Sequence, residues 1–480
     1  MGQTAIYGLP TIVGRLLNYF LVPLYTGADA FAPTEYGTLS ELYAWVAFLI
    51  ILLPLGMETA FFRYINKHDN KDEVFRNSFL TVLVFSSAFF VLIFFASQGI
   101  ANAMGYPDHS EFITTLALIV SIDAITALPM AKLRAEQKAV RFSLIHFTAI
   151  IVNIGLNLII VLILFEDIDA MTAIWYILLA NVFASSVKII GTYKEFLQVK
   201  WKMNKALAKE MITYSFPLVI AGFAGIINET LDRVMMKPLL MKAGNSNEYS
   251  LAQVGIYSAC YKLAMIVTIF LQAYRYAAEP FFFSQAKNKD RNKMYAKIMN
   301  YFIAAVCIVF LGVSLNIDIF KHFIRSEAYW AGLGVVPILL LANVFLGIYI
   351  NQSIWYKLSG QTKFGAYIAL GGAALTIAIN IIFIPEYGYW AAAWATLIVY
   401  GAQMVASYLL GQKYYPISYN LRKFALYFGF ALVLFLIAYF VNMDPDEMTA
   451  MKFFFHNGLI LLYVFMVWFI EKPTATKKLT

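Results

Sequence analysis

Fourteen apolar stretches follow one another along this chain of 480 residues, and each is about as long as a membrane-crossing helix. A helix needs about 20 mainly apolar residues to cross the roughly 30 Å hydrocarbon layer of a bilayer. Hydrophobic residues make up 61% of the chain and charged residues 13%, which leaves too few polar side chains for a large water-facing domain. We therefore predict an all-α integral membrane protein with 14 transmembrane helices. The predicted spans cover residues 4–25, 38–62, 75–97, 111–131, 142–164, 170–192, 210–236, 253–283, 298–318, 332–356, 364–384, 387–411, 424–441 and 452–470.

The basic residues are distributed unevenly between the connections. Of 36 Lys and Arg residues, 27 lie in alternate connections and in the C-terminal tail, five lie in the other connections, and four lie inside spans. Positive charge accumulates on the cytoplasmic side of membrane proteins. Both termini are therefore predicted to be cytoplasmic, and the net charge of +8 reflects topology and not a nucleic-acid partner.

Features typical of enzymes are scarce in this sequence. Both cysteines, Cys260 and Cys307, lie inside spans, and no P-loop motif occurs. The one dense acidic cluster in a predicted outer connection, at residues 444–447, is interpreted as a turn between two spans. We therefore predict that the protein is not an enzyme and has no catalytic residues, no metal site and no cofactor.

The two halves of the sequence resemble each other, because several short patterns recur in the same order. The matched positions include Tyr7–Pro10 with Tyr214–Pro217, Gly37 with Gly255, and Asn157 with Asn380. Since six spans return the chain to its starting side, the halves are predicted to be parallel repeats with a site at their interface. The predicted domains are an N-lobe at 1–192, a cytoplasmic linker at 193–209, a C-lobe at 210–412, and two further helices with a tail at 413–480. The linker is either an amphipathic surface helix or a solvated connection.

Charged side chains inside the spans are the strongest candidates for function. Each costs about 2.5–3.5 kcal/mol on insertion scales, so such groups usually face a watery cavity or a charged partner. The positions are Arg15, with Asn18 on the same helical face, and Asp123, Glu229, Asp232, Arg233, Lys262, Arg275 and Glu279. Structural ion pairing is the alternative for Arg15, Asp232 and Arg233, and an interfacial position is the alternative for Glu279.

Several segments carry a resemblance to a known family. They are Glu229–Arg233, Val254–Tyr257 with Tyr261–Leu263, and Asn380–Gly388 with Ala391–Thr396. With these segments and with six plus six plus two spans, the chain resembles the polysaccharide repeat-unit flippases (Wzx-type) of the multidrug/oligosaccharidyl-lipid/polysaccharide (MOP) exporter superfamily. The resemblance implies a secondary transporter that moves undecaprenyl-pyrophosphate-linked oligosaccharide from the inner to the outer leaflet of the bacterial cytoplasmic membrane by alternating access.

The resemblance also implies partners and a coupling ion. The partners would be the polyprenyl-pyrophosphate-linked oligosaccharide, membrane lipid, and polysaccharide polymerase or assembly proteins, and the product would be O-antigen, capsule or exopolysaccharide. Coupling to an H⁺ or Na⁺ gradient is implied as well.

A pyrophosphate head requires cationic partners, and Arg offers a bidentate donor pair that Lys lacks. The candidates for binding this head, chosen by position and charge, are Arg15, Lys262, Arg275, Asn18 and Arg233. The candidates for ion coupling are Glu229, Asp232, Asp123 and Glu279. The candidates for hinges, matched between the repeats, are Pro10 and Pro217.

Three other classes compete with this hypothesis. A lipid II flippase is separated from it only weakly by sequence. A multidrug or cation antiporter would typically have twelve spans and a cavity rich in carboxylates. A membrane polymerase or glycosyltransferase would have a large outer loop, whereas the longest outer connections here have about 14–16 residues.

Reporter fusions placed after Asp29, Pro107 or Asp444 should give an extracytoplasmic signal, because these positions lie in connections poor in Lys and Arg. A fusion within 193–209 should give a cytoplasmic signal and serves as the control. A cytoplasmic signal from any of the first three fusions would contradict the predicted orientation.

Overall fold

The computed structural model of the protein describes residues 2–27, 29–285, 288–441 and 448–472. Within these ranges the regular secondary structure is helical and no β-strand occurs. A helix satisfies its backbone hydrogen bonds within its own segment, which is what crossing hydrocarbon requires. The acidic cluster at 444–447, which we interpreted as a turn, lies outside the described residues.

Fourteen long helices occur in the described part of the chain, and each corresponds to one predicted span. They are α1 (Gly2–Tyr19), α2 (Pro33–Leu52), α3 (Lys71–Met104), α4 (Ser110–Ala135), α5 (Ala139–Ile159), α6 (Ala170–Gly191), α7 (Lys205–Lys242), α8 (Asn247–Ser284), α9 (Arg291–Leu315), α10 (Val336–Gln352), α11 (Lys363–Tyr387), α12 (Tyr389–Tyr414), α13 (Leu421–Val441) and α14 (Ala450–Glu471). Shorter helical segments lie at Val22–Tyr25, Met57–Tyr64, Ile160–Leu164, Tyr193–Leu197, Ile317–Phe320, Lys321–Phe323, Glu327–Val335 and Ile354–Leu358.

The hydropathy of these helices agrees with a membrane location. Among the described residues, 13 helical segments are long and apolar enough to cross a membrane, and a shorter apolar helix at Ile12–Tyr25 accounts for the first span. The prediction of an all-α membrane protein with 14 spans is confirmed.

Many large apolar side chains are exposed on these helices. Phe95 on α3, for example, is 82% exposed, and Phe469 on α14 is 70% exposed. Exposure of apolar surface to water is unfavourable by about 25 cal/mol per Å². These faces are therefore suited to contact with acyl chains and not with water.

The predicted linker at 193–209 is helical only at its two ends. Tyr193–Leu197 form a short helix, and α7 begins at Lys205. The side chain of Asn204 accepts two backbone N–H groups of the first turn of α7 at 3.2 Å, which is the contact that an Asn N-cap provides. The linker is therefore not one continuous surface helix.

The second span contains a bend that hydropathy does not reveal. After α2 the chain passes through Pro54, which lacks a backbone N–H, and then resumes as the helix Met57–Tyr64. Leu55 and Gly56 have φ angles of 54° and 65°, in the left-handed region. An added Cβ at Gly56 would lie 3.1 Å from the Cβ of Ser215 on α7, so glycine also permits close packing there.

The chain divides into two compact units, Met1–Gly255 and Ile256–Thr480. The boundary falls within α8, so α7 and the first turns of α8 belong to the first unit. The compact units therefore differ from the predicted lobes at 1–192 and 210–412, and the division by sequence repeat stays a prediction.

Each unit is a bundle of neighbouring helices. In the first unit α3 packs on α4, α5 packs on α6, and α7 packs on α2. In the second unit α12 packs on α10 and α11, while α9 contacts α10, α13 and α14. The two C-terminal helices thus join the second unit through α9.

The second unit contains an aromatic cluster around Trp355, whose side chain is only 1% exposed. The ring centroid of Trp355 lies 5.5 Å from that of Phe364 and 6.5 Å from that of Tyr414. The indole N–H donates a hydrogen bond to the hydroxyl of Ser407 at 3.3 Å, so its polar group is satisfied although it is buried.

Replacing Trp355 with Ala should lower the free energy of unfolding by about 3–5 kcal/mol, because the change leaves a large cavity in this cluster. Thermal unfolding of the purified protein in detergent would measure the loss. Trp201→Ala is the matched control, since Trp201 is 80% exposed. Equal stability of the two variants would contradict the importance of this cluster.

Candidate functional site

Arg15 and Asn18 lie about one turn apart on α1, and both side chains are exposed. Among the residues that the structure describes, neither side chain has an ion pair or a hydrogen-bond partner. An ionised guanidinium within a span is stable where water or an anion reaches it. The structure thus leaves Arg15 accessible to a ligand.

Asp123 on α4 is not an isolated carboxylate. Its Oδ1 accepts hydrogen bonds from the ammonium of Lys188 at 2.9 Å and from the hydroxyl of Ser185 at 2.6 Å, both on α6. The side chains of Asp123 and Lys188 are each 23% exposed. A coupling ion at Asp123 would therefore compete with Lys188, and sequence reasoning missed this partner because Lys188 was counted with the following connection.

A row of neutral polar side chains crosses the interior of the first unit. Tyr25 donates to Asn157 at 2.6 Å, Asn153 donates to Asn181 at 3.0 Å, and Asn181 donates to Tyr43 at 2.6 Å. Asn157 also donates to the side-chain oxygen of Asn153 at 2.5 Å. The i, i+4 spacing of Asn153 and Asn157 was the signal in the sequence, and the row links four helices through satisfied hydrogen bonds.

The three charged candidate residues on α7 have different surroundings. Asp232 is buried, and one of its oxygens accepts the backbone N–H of Arg233 at 2.8 Å. The guanidinium of Arg233 donates to the backbone carbonyl of Glu229 at 3.4 Å, and both Asp232 and Arg233 make further contacts within the protein. The side chain of Glu229 is exposed. Of these three residues, only Glu229 therefore presents a readily accessible charge.

A charged cluster lies at the end of α8 in the second unit. The ammonium of Lys357 lies 2.6 Å from Oε1 of Glu279, and Nε of Arg275 lies 3.6 Å from the same oxygen. The side chain of Arg275 is 48% exposed. Two cations thus share one carboxylate, which leaves the cluster with an excess of positive charge. Lys357 was missed because it immediately follows the predicted span at 332–356 and was counted with the next connection.

The remaining candidate residues are less accessible to a ligand. Lys262 on α8 is half-buried and already makes contacts within the protein. Pro10 and Pro217 lie inside α1 and α7, and both helices continue through them. Hinge motion at these prolines stays a prediction. Within the described residues, no group of three or more His, Cys, Asp or Glu side chains is placed to hold a metal ion.

Sequence reasoning also missed a buried ion pair between α2 and α7. The ammonium of Lys237 lies 3.2 Å from Oε2 of Glu41, and these side chains are 3% and 5% exposed. Glu41 falls inside the predicted second span, which was a signal for function. Lys237 immediately follows the predicted seventh span and was counted as part of a connection.

The helices and their order define a class, namely multi-pass helical membrane proteins, and solved structures of two transporters share this fold. The lipid II flippase MurJ in an inward closed conformation matches with a TM-score of 0.70 and 14% identity, covering 97% of this chain and 99% of that chain. An inward-facing multidrug resistance MATE family transporter of the MOP superfamily matches with a TM-score of 0.64 and 15% identity, covering 86% and 97%.

The chain belongs to the family described as "Polysaccharide biosynthesis protein", whose sequence profile matches residues 3–286. A curated relative, the "Uncharacterized membrane protein YabM" of Bacillus subtilis (strain 168), is 21% identical over 202 residues. This match covers 42% of the present chain and 37% of the relative. The predicted resemblance is thereby confirmed for the family and for the fold.

The Asp123–Lys188 pair provides a test of the first-unit geometry. Lys188→Met should destabilise the protein more than the double variant Asp123→Asn/Lys188→Met, because the single change leaves a poorly solvated carboxylate without its cation. Thermal unfolding of the two single variants and the double variant would measure the coupling. Additive effects of the two changes would contradict a direct ion pair.

Proposed function

We propose that the protein is a flippase that moves an undecaprenyl-pyrophosphate-linked oligosaccharide from the inner to the outer leaflet of the bacterial cytoplasmic membrane. The observation that carries this proposal is the presence of accessible cations inside membrane spans, namely Arg15 and Arg275. Family membership supports it, because the family is described by polysaccharide biosynthesis, and so does the fold, which the chain shares with a lipid II flippase and a multidrug resistance transporter. The mechanism is alternating access driven by a secondary gradient.

The chemistry of the substrate head suits these cations. A diphosphate carries several negative oxygens, and a guanidinium donates two parallel hydrogen bonds to such a group. Arg15 offers these donors without a competing partner among the described residues. In the second unit, Arg275 shares Glu279 with Lys357, so phosphate binding there replaces a carboxylate with a more highly charged anion.

Lys262, Asn18 and Arg233 are proposed to assist. Lys262 is half-buried, so it binds the anion only by exchanging its internal contacts. Asn18 lies beside Arg15 and supplies a neutral hydrogen-bond donor.

A coupling ion, H⁺ or Na⁺, is proposed to act on carboxylates within the spans. Asp123 is the leading candidate, since protonation or sodium binding would release Lys188 and Ser185 from its Oδ1. The other candidates are Glu229, Asp232 and Glu279. No metal or organic cofactor is required for this mechanism.

The setting of the protein follows from its charge pattern. Both termini are proposed to lie in the cytoplasm, as the positive-inside rule indicates.

The product is a surface polysaccharide such as O-antigen, capsule or exopolysaccharide, and the polymerase or assembly proteins that consume the flipped unit are the expected partners.

A lipid II flippase is the second candidate function. The MurJ fold favours it, and the same cations would serve, because any polyprenyl diphosphate presents the same head group. A drug antiporter is less well supported, since accessible cations would repel cationic drugs.

Arg15→Ala, Arg275→Ala and Lys262→Ala should each reduce surface polysaccharide by about tenfold, because each removes a charged hydrogen bond worth about 1.5–3 kcal/mol. Immunoblotting or gel analysis of the polysaccharide, with membrane levels of each variant measured in parallel, would show the effect. Lys242→Ala is the control, since Lys242 is exposed at the end of α7.

Normal polysaccharide in all three variants at normal membrane levels would contradict the proposal. Loss of viability on depletion, with rescue by a known lipid II flippase and with polysaccharide unchanged, would support the second candidate function instead.

A further inference from the structure

The buried pair of Glu41 and Lys237 lies at one end of the first unit. This end holds the start of α2, the end of α3 and the end of α7, next to connections that are poor in Lys and Arg. By the positive-inside rule it faces the extracytoplasmic side. The ammonium of Lys237 also donates to the backbone carbonyl of Met104, at the end of α3, at 2.5 Å.

Tyr106 completes this arrangement from the connection between α3 and α4. Its hydroxyl donates to Oε2 of Glu41 at 2.5 Å, and the ammonium of Lys237 lies 3.9 Å from the centroid of its ring. Burial, together with the adjacent Glu41 carboxylate, raises the pKa of Tyr106, so the phenol keeps its proton and remains a donor. We name Glu41, Tyr106, Lys237 and the carbonyl of Met104 the outer clasp.

Gly105 shapes the chain at the outer clasp. Its φ of 79° lies in the left-handed region, and an added Cβ there would lie 3.6 Å from the ammonium of Lys237. The same Cβ would lie 3.5 Å from Oδ1 of Asn247, in the first turn of α8. The connection between α3 and α4 therefore lies close to both α7 and α8 at this end of the unit.

A second contact closes the same end through glycine. An added Cβ at Gly37 on α2 would lie 1.9 Å from the backbone oxygen of Leu251 on α8, and one at Gly255 would lie 1.9 Å from the backbone oxygen of Pro33. The backbones of α2 and α8 are therefore in direct contact. Gly37 and Gly255 are the residues that the sequence repeat matches, so equivalent positions of the two repeats meet here.

The other end of α7 is held differently. There, Tyr64 donates to Glu210 at 3.0 Å, and Lys67 lies 3.8 Å from the same carboxylate. The side chains of Lys67 and Glu210 are 62% and 51% exposed. Water screens such a pair, so it contributes little to holding the helices together. That end of α7 also packs closely on the helix Met57–Tyr64 and on α3, and an apolar cluster joins α2 to α7 between the two ends. Of the two ion pairs described for α7, the one that is shielded from water is at the outer clasp.

We propose that the outer clasp is the latch that holds the extracytoplasmic side closed, and that its separation opens the transport path to the outer leaflet. The clasp joins α2 and Tyr106 of the first predicted repeat to α7 of the second, and these are the parts that alternating access between the predicted repeats would separate. The transport role rests on the proposed function, whereas the latch itself is a property of the fold.

The chemistry of the clasp suits a contact that must open and close again. Separated charges and a phenol are well hydrated in water, whereas separated apolar surfaces are not. The glycine contact involves backbone only, so it separates without unlocking interdigitated side chains. When the clasp is closed, a substitution that removes one partner leaves the other charge buried without compensation, so such a substitution favours the open arrangement in which water reaches that charge.

Double electron–electron resonance would test the latch in lipid nanodiscs. It would measure the distance between two spin labels attached to the cysteines of an Ala32→Cys/Tyr249→Cys double variant. Both positions are exposed at the outer ends of α2 and α8. Cys260 and Cys307 would first be replaced by Ala to remove competing thiols. The variants to compare in this background are Lys237→Met, Glu41→Gln and Gly37→Ala, with Lys242→Met as the matched control.

Lys237→Met and Glu41→Gln should shift the main distance to longer values, because each breaks the ion pair. Gly37→Ala should give the same shift by a different route, since its methyl group displaces the α8 backbone. The parent and Lys242→Met should share one short distance. The proposal would be overturned if the distance were unchanged in all three clasp variants and each variant eluted as a folded protein in size-exclusion chromatography. The clasp would then be a permanent structural contact.

Gly37→Ala keeps the test decisive if the charge variants fail to fold, because it alters no charge. The distance measurement needs no substrate, so it judges the latch independently of the exported molecule. A shifted distance with normal surface polysaccharide in cells that carry the same variant would support the latch as a property of the fold and contradict its role in transport, whereas the proposed function is judged by the Arg15, Arg275 and Lys262 variants.

Discussion

An ionised side chain is far less stable in hydrocarbon than in water, and this difference governs every charged group within the spans. The protein meets the constraint in two ways. Glu41 and Lys237 are buried and bonded to each other, so their charges hold helices together. Arg15 is exposed and lacks a partner among the described residues, so it requires water or an anion. The buried pair holds helices together, whereas the exposed Arg15 can bind an anionic substrate. The proposed transport function depends on Arg15.

Much of the fold could be predicted because hydropathy reports directly on membrane spans. The number of spans and the helical class follow from the length of each apolar stretch. The bend after Pro54 could not be predicted from hydropathy, because it depends on backbone angles at Leu55 and Gly56. The division into units at Gly255 depends on packing between helices, which periodicity does not encode. The extension of α7 to Lys205 depends on the cap at Asn204, a local contact that an apolar pattern ignores.

The sequence could predict which residues belong to the candidate site, but it could not predict which residues they contact. Arg15 was identified from its position within a span, and the structure leaves it accessible. Lys188, Lys237 and Lys357 were assigned to connections because each lies near the end of a span, where a long side chain can reach inward. Each of them bonds a carboxylate on another helix. Such partners become visible only when the helices are packed, so the sequence locates charges better than it locates their pairs.

The accessibility of Arg15 to water distinguishes a cation that faces a transport path from one that faces lipid. Arg15→Cys, in a chain with Cys260 and Cys307 replaced by Ala, would be treated with a charged, water-soluble thiol reagent on both sides of the membrane. Leu92→Cys is the matched control, because Leu92 is 65% exposed on an apolar face of α3. We expect fast modification at position 15 and none at position 92. Equal resistance at both positions would place Arg15 against lipid and contradict a transport path lined by Arg15.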